Sequence, residues 1–303
     1  MKSILAALIG FLLVSTAAAQ EVTIDPDEII QSVQEWVQDN LDEKALDELG
    51  VDRDRVRQFL DELKRRFHGT YVYDLAALKE NATQLLPVLQ KFEETRPYAV
   101  WLQTRLDYFD VAEKLRREAK PEPAPLPGPS PQLERSVWVR ELRDRSLPPL
   151  ADDYAPRLKR IFAAEKLPSE LVWVAEVESS FNATARSPAG AVGLFQLMPA
   201  TARTLNLSTS LPDERLQPEK SARAAAKYLR RLYDRFGDWR LALAAYNAGE
   251  TRVDELLKKS RTRSFDAIAS RLPAETQMFV PKVEATLRKR EGIALSELTL
   301  PNG

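Results

Sequence analysis

The stretch Pro168-Ser169-Glu170-Leu171-Val172-Trp173-Val174-Ala175-Glu176-Val177-Glu178-Ser179-Ser180-Phe181 decides how the chain is read. A proline followed by serine opens a helix, and Leu171, Val174, Glu178 and Phe181 then recur at steps of three and four, so they share one face. A carboxylate on that apolar stripe is out of place. Burial among such neighbours disfavours the ionised form and raises the pKa, which keeps a glutamic acid protonated near neutral pH. Glu178 is thus a candidate general acid. Glu176 projects to a different side and is its local competitor, and the plain alternative for either is a salt-bridged helix glutamate.

The next segment, Ser187 to Ala202, places Gly190 and Gly193 among apolar residues, as a loop does where the backbone bends sharply or approaches a ligand. Gln196 supplies a neutral donor and acceptor there, and Pro199 fits the first turn of a following helix. The stretch Pro218 to Phe236 reads as strongly helical, and the run Leu241 to Ala245 ends in Tyr246-Asn247-Ala248-Gly249. A tyrosine and an amide at the end of an apolar face suit sugar hydroxyl and acetamido groups. Taken singly, either segment is more often plain turn or helix-cap chemistry.

Four ordered blocks nevertheless resemble the soluble lytic transglycosylase family, the bacterial relatives of goose-type lysozyme. They are Glu178-Ser179 with Phe181-Asn182, Gly193 to Pro199, Ala245 to Gly249, and Leu272-Pro273-Ala274-Glu275-Thr276. The resemblance covers roughly 150–290 and implies a mainly α, lysozyme-like helical catalytic domain with a long sugar groove. It implies Glu178 as the catalytic residue, Gln196, Tyr246 and Asn247 lining the cleavage site, Ser187 and Met198 bordering the groove, and Glu275 deeper in it. Phe279 departs from the tyrosine usual in the family, and Phe195 from a methionine or tryptophan, which would alter the groove wall.

The implied reaction cleaves peptidoglycan between N-acetylmuramic acid and N-acetylglucosamine and closes a 1,6-anhydro ring, with one carboxyl acting as acid and then as base. Hydrolysis ordinarily uses two carboxyl groups. A muramidase would therefore need Glu275, Asp213 or Asp238 to place a water. A non-catalytic periplasmic glycan-binding protein is the other alternative, and it predicts a lost acid.

Outward from these blocks, the 303 residues suit two domains, and ten glycines are too few for a sheet-and-turn design. Prolines at alternate positions from Pro121 to Pro131 favour an extended polyproline spacer, so 119–132 reads as a linker. The catalytic domain is then 133–303 (core about 150–290), and 20–118 is a separate helical N-terminal domain of unassigned role. Its stripes are Ile29, Ile30, Val33, Trp36, Val37, Leu41, then Val56, Phe59, Leu60, Leu63, Phe67, followed by helical segments over Leu75 to Phe92 and Tyr98 to Arg117.

Lys2, the apolar run Ile4 to Val14 and Ala17 to Ala19 read as a secretory signal peptide over 1–19, implying export to the periplasm or cell wall. The run is too short for a stable membrane anchor. A net charge of −1 argues against nucleic acid as a partner. No cysteine and one histidine, His68 at a helix end, leave no disulfide and no histidine-rich metal site, so neither metal nor cofactor is expected.

Overall fold

The computed structural model describes residues 53–91, 93, 95–119 and 128–301. The expected leader, the first apolar stripe and most of the Pro-rich spacer lie outside the described residues. Within them every named element is helical, and pairing between extended segments is limited to two isolated bridges, Arg186 with Val192 and Val192 with Leu197. The mainly α reading holds.

Helix α1 (Arg53–His68) buries Phe59, Leu63 and Phe67 at four-residue steps and stops before Gly69. The expected segment over Leu75 to Phe92 is a 3-10 turn (Val72–Leu78) running into α2 (Lys79–Lys91). The segment over Tyr98 to Arg117 is likewise divided, into α3 (Arg96–Gln103) and α4 (Leu106–Glu118). The break has a local cause: Thr104 Oγ1 donates to the carbonyl of Trp101 at 2.7 Å, a side-chain bond that competes with helix continuation. It leaves Arg105 at the start of α4, where it is buried.

Helix α5 (Pro131–Leu142) begins inside the stretch read from sequence as a linker. The last proline of the spacer occupies the first turn, where its missing N–H is harmless, and Ser130 Oγ caps Leu133 N at 3.2 Å. Then follow α6 (Ala151–Ala164), a 3-10 turn (Ser169–Trp173), α7 (Val174–Ser179) and α8 (Pro199–Thr204). Helix α9 (Pro218–Phe236) matches its expected bounds, ending at Gly237 with φ 67°. Next come α10 (Trp239–Ala248), α11 (Glu250–Lys258), the short α12 (Phe265–Ile268) and α13 (Ala274–Glu291).

Helix α13 organises the rest, because it is buried nearly all round, as a central helix must be. Phe279, Val280, Val283 and Leu287 join the cluster formed by α6 to α12. Ala274, Met278 and Ala285 join a second cluster with Phe67, Trp101, Tyr108 and Phe109 from the N-terminal helices and Val137, Trp138 and Leu142 from α5. The spacer therefore divides the sequence but not the apolar core, whose second cluster draws on both sides of it. The physical reason is that α13 has two apolar faces, and the N-terminal helices cover one of them.

Polar contacts reinforce this packing. Lys282 Nζ, buried on α13, donates to Asp107 Oδ1 at 2.9 Å and to the carbonyl of Thr104 at 2.7 Å. Ala274 N donates to the Gly69 carbonyl at 2.6 Å, and Gln277 Nε2 to that of Thr70 at 2.8 Å. Asp107→Ala, which keeps the N-terminal helices in place, would leave Lys282 a buried charge without its carboxylate partner, a loss of roughly 3 to 5 kcal/mol.

Candidate active site

The site begins at the segment quoted first, which is not one continuous α-helix. Apolar spacing over a single turn fits either helix type, and the first turn is 3-10 before α7 begins at Val174. Ser180 (φ 51°) and Phe181 (φ 60°) then turn left-handed. Such backbone strain costs on the order of 1 to 3 kcal/mol per residue. It is offset by burying Phe181 completely, edge-on to Trp173 with ring centroids 5.7 Å apart. Helix α7 is buried on all sides, and Ser179 Oγ ties it to the glycine-containing loop by donating to the Leu194 carbonyl at 2.9 Å.

Both glutamates of α7 are therefore buried, and they face different partners. Glu176 forms a two-pronged ion pair with Arg290 of α13, at 2.9 and 2.7 Å. Glu178 Oε2 accepts from Arg105 Nη2 at 3.0 Å. Removal from water raises the Glu178 pKa to about 7, against the opposing charge and hydrogen bond of Arg105, with Glu275 raising it and Lys282 lowering it.

The loop after α7 is built around Gln196. Its backbone is left-handed at φ 45°, and its Nε2 donates to the carbonyls of Ala185 at 3.1 Å and Gly193 at 2.9 Å. Its buried Oε1 has no hydrogen-bond partner among the described residues. Ser187 Oγ closes its own turn by accepting from Ala191 N at 3.0 Å, and half-buried Met198 stands immediately before α8 without a side-chain capping bond. Neither of these two is in contact with Glu178 through any hydrogen bond of the described residues.

Tyr246, in the last turn of α10, donates its hydroxyl to the Phe195 carbonyl at 2.6 Å and stacks in parallel on Phe279 at 6.5 Å. Burial, and then the charge of Glu178, push its pKa well above the ordinary phenol value, so it remains a donor. Asn247 Oδ1 accepts from Thr276 Oγ1 at 2.6 Å, which turns its amide N–H groups the other way. Glu275, partly exposed at the start of α13, accepts from the same Arg105 nitrogen as Glu178, at 3.3 Å. Glu178 and Glu275 are thus joined through Arg105, with Tyr246 close enough to feel the charge of Glu178, whereas the side-chain bonds of Gln196 stay within its own loop.

Several sequence expectations change here. Phe195 is fully buried against Phe162, so its ring belongs to the core, and only its carbonyl faces Tyr246. Phe279 is also fully buried and serves as a stacking surface. Asp213 bonds Arg215 with both oxygens, and Asp238 caps α10 through Leu241 N. Both carboxylates are occupied by local structure. Sequence reasoning missed Arg105, which reaches Glu178, and Arg215, which holds the loop through the carbonyls of Gly190 and Leu197 at 2.9 and 3.1 Å. Among the described residues no group of three or more acidic or histidine side chains is placed to hold a metal ion.

The pairing of Glu176 gives a first expected result. Glu176→Gln leaves Arg290 a single neutral amide acceptor in place of the two-pronged carboxylate, beside the carbonyls of Arg145 and Ser146, so stability falls by about 1.5 to 3 kcal/mol. Turnover stays within about threefold of wild type, since this carboxylate faces away from Glu178. Thermal unfolding and steady-state rates measure the two separately. A loss of turnover without a loss of stability would move the acid's role to Glu176.

Comparison with known proteins places these residues in context. The family model described as the transglycosylase SLT domain matches residues 159–269. Membrane-bound lytic murein transglycosylase D of Escherichia coli strain K12 is 42% identical over 123 residues, 39% of this chain and 27% of that protein. A putative tributyltin chloride resistance protein of Alteromonas sp. strain M-1 is 33% identical over 150 residues, 49% of this chain and 69% of that protein. The crystal structure of the 70 kDa soluble lytic transglycosylase from Escherichia coli aligns with a TM-score of 0.43 and 22% identity, over 89% of this chain and 50% of that one. The chain thus spans about a quarter of the length of the first of these relatives. The family match ends before the Leu272 to Thr276 block and begins well after Arg105.

Proposed function

The chain belongs to the transglycosylase SLT family, and from that premise we propose that it is a peptidoglycan lytic transglycosylase. It cleaves the β-1,4 bond between N-acetylmuramic acid and N-acetylglucosamine and leaves 1,6-anhydromuramic acid ends. The observation that carries this reading is Glu178, buried on α7 with its pKa raised to about 7. A carboxyl in that range is protonated often enough to donate and ionised often enough to accept near neutral pH.

In the first step Glu178 protonates the glycosidic oxygen as the C1–O bond breaks, and the acetamido oxygen of the muramic acid attacks C1 to give an oxazolinium. In the second, the Glu178 carboxylate takes the proton of the C6 hydroxyl. The C6 oxygen then bonds to C1, displacing the acetamido oxygen and restoring the neutral acetamide. The intramolecular nucleophile has a large effective concentration, which favours ring closure over attack by water. The amide N–H groups of Asn247 and the unpaired Oε1 of Gln196 supply a donor and an acceptor for the sugar's acetamido and hydroxyl groups. Substrate and the expected leader together imply action outside the cytoplasm, in the periplasm or cell wall. No helix among the described residues is long and apolar enough to cross a membrane.

A buried acid also argues against a purely binding role. Because the folded-state pKa is raised, Glu178 contributes stability only at low pH, and that contribution is lost as pH rises from about 4.5 through about 7. Hydrolysis remains the second reading on one observation, that Glu275 shares an Arg105 nitrogen with Glu178. Mass spectrometry of digested peptidoglycan separates the two. Products lighter by one water than reducing-end fragments are expected, and reducing ends alone would establish a muramidase instead.

A further inference from the structure

Arg105 lies outside both the matched family segment and the chain beyond the spacer, yet it touches Glu178 at two points. Its Nη2 donates to Glu178 Oε2 at 3.0 Å and to Glu275 Oε1 at 3.3 Å. Its Nη1 donates to the main-chain carbonyl of Glu178 at 2.9 Å, that of Val177 at 3.4 Å, and Thr104 Oγ1 at 2.7 Å. The guanidinium also lies over the rings of Trp101 and Tyr108, at 5.3 and 5.8 Å. Only 2% of its side chain is exposed.

We propose that Arg105 is a positioning residue of the active site, gripping the side chain and main chain of Glu178 together so that the N-terminal helices complete the catalytic centre. The inference rests on the reading of Glu178 as the acid and base. A group that both gives and recovers a proton must be tolerable in both forms. Desolvation alone would hold Glu178 in the neutral form and make the carboxylate costly at the oxazolinium stage. Arg105 opposes that bias with a fixed charge, and its planar fork restricts the carboxyl to one orientation.

The other titratable groups facing Glu178 are Tyr108 of α4, Tyr246 of α10, and Glu275 and Lys282 of α13. Lys282 is engaged by Asp107, and both tyrosines are held neutral by burial. Arg105 is thus the cation in direct contact with the Glu178 carboxyl.

The test compares Arg105→Met, which keeps the stem's bulk and removes the charge, with Arg105→Lys, which keeps the charge and removes the fork. Rates on purified peptidoglycan are recorded from pH 4.5 to 9, with circular dichroism for folding and Glu178→Gln run alongside. For Arg105→Met the alkaline limb of kcat moves upward by about one unit. Its kcat falls about tenfold or more, while KM stays within about twofold. For Arg105→Lys the limb stays within about half a unit of wild type, and kcat falls about tenfold. A folded Arg105→Met whose alkaline limb does not move overturns the proposal, whatever its kcat, because loosened packing alone would not move a limb. If Arg105→Met does not fold, Arg105→Lys decides, and a wild-type kcat there overturns it. If Glu178→Gln itself turns over normally, the assignment of the acid has failed rather than the role of Arg105.

Discussion

Glu178→Gln is expected to lower turnover on peptidoglycan by about 10³-fold or more and to leave the fold intact. The amide keeps the side chain's length and shape, and its oxygen still accepts from Arg105 Nη2, so the ion pair becomes an ordinary hydrogen bond. On the proposed mechanism it cannot deliver a proton to the glycosidic oxygen or take one from the C6 hydroxyl, so both steps should fail. A fall of this size corresponds to about 4 kcal/mol of lost transition-state stabilisation. The same group should fix the pH response of the wild type. With a folded-state pKa of about 7, the donating form predominates below that value, and turnover declines as pH rises through it. Steady-state rates for both proteins between pH 5 and 9, with thermal unfolding to compare folds, give the answer. If Glu178→Gln stays within tenfold of wild type, or the wild type has no alkaline limb near 7, Glu178 is not the acid.

The same residues show why part of the fold was legible in sequence and part was not. Helices α9 and α10 were readable because proline, glycine and aspartate punctuate them where the chain must start and stop. The segment carrying Glu178 was read correctly as apolar but wrongly as one helix, because a step of three or four over one turn fits 3-10 and α geometry alike. The break at Thr104 depends on a side chain bonding its own backbone, which periodicity does not register.

Arg105 was missed for a more instructive reason. It stands four residues after Trp101 and three before Tyr108, a charge on an apolar stripe, which is the signal that singled out Glu178. Applied evenly along the chain, the rule would have marked both ends of the ion pair. What no local pattern could supply is that two segments separated by a proline run meet on opposite faces of α13. That depends on a helix with two apolar faces, each needing cover.

Gly193→Ala is expected to destabilise the protein by roughly 3 kcal/mol or more. Two effects act at this position. Its φ of 85° is one that a residue with a Cβ adopts only with strain, and an added Cβ would lie 2.1 Å from the backbone carbonyl oxygen of Arg215. That carbonyl cannot swing aside, because Arg215 is locked to Asp213 and to the loop carbonyls of Gly190 and Leu197. The loop must therefore move. Moving it displaces the Gly193 carbonyl, which accepts from both Gln196 N at 3.2 Å and Gln196 Nε2 at 2.9 Å. Turnover should fall by about ten- to a hundredfold, since small displacements of groups around a reacting centre have effects of that size. Gly237→Ala is the matched control. Its φ of 67° carries similar strain, but nothing lies within 4 Å of the added Cβ. Its cost should be only about 1 kcal/mol, with turnover unchanged. Denaturant unfolding and peptidoglycan turnover of both variants separate backbone strain from the close approach to Arg215. Equal destabilisation by the two substitutions would mean that the contact with Arg215 does not fix this loop.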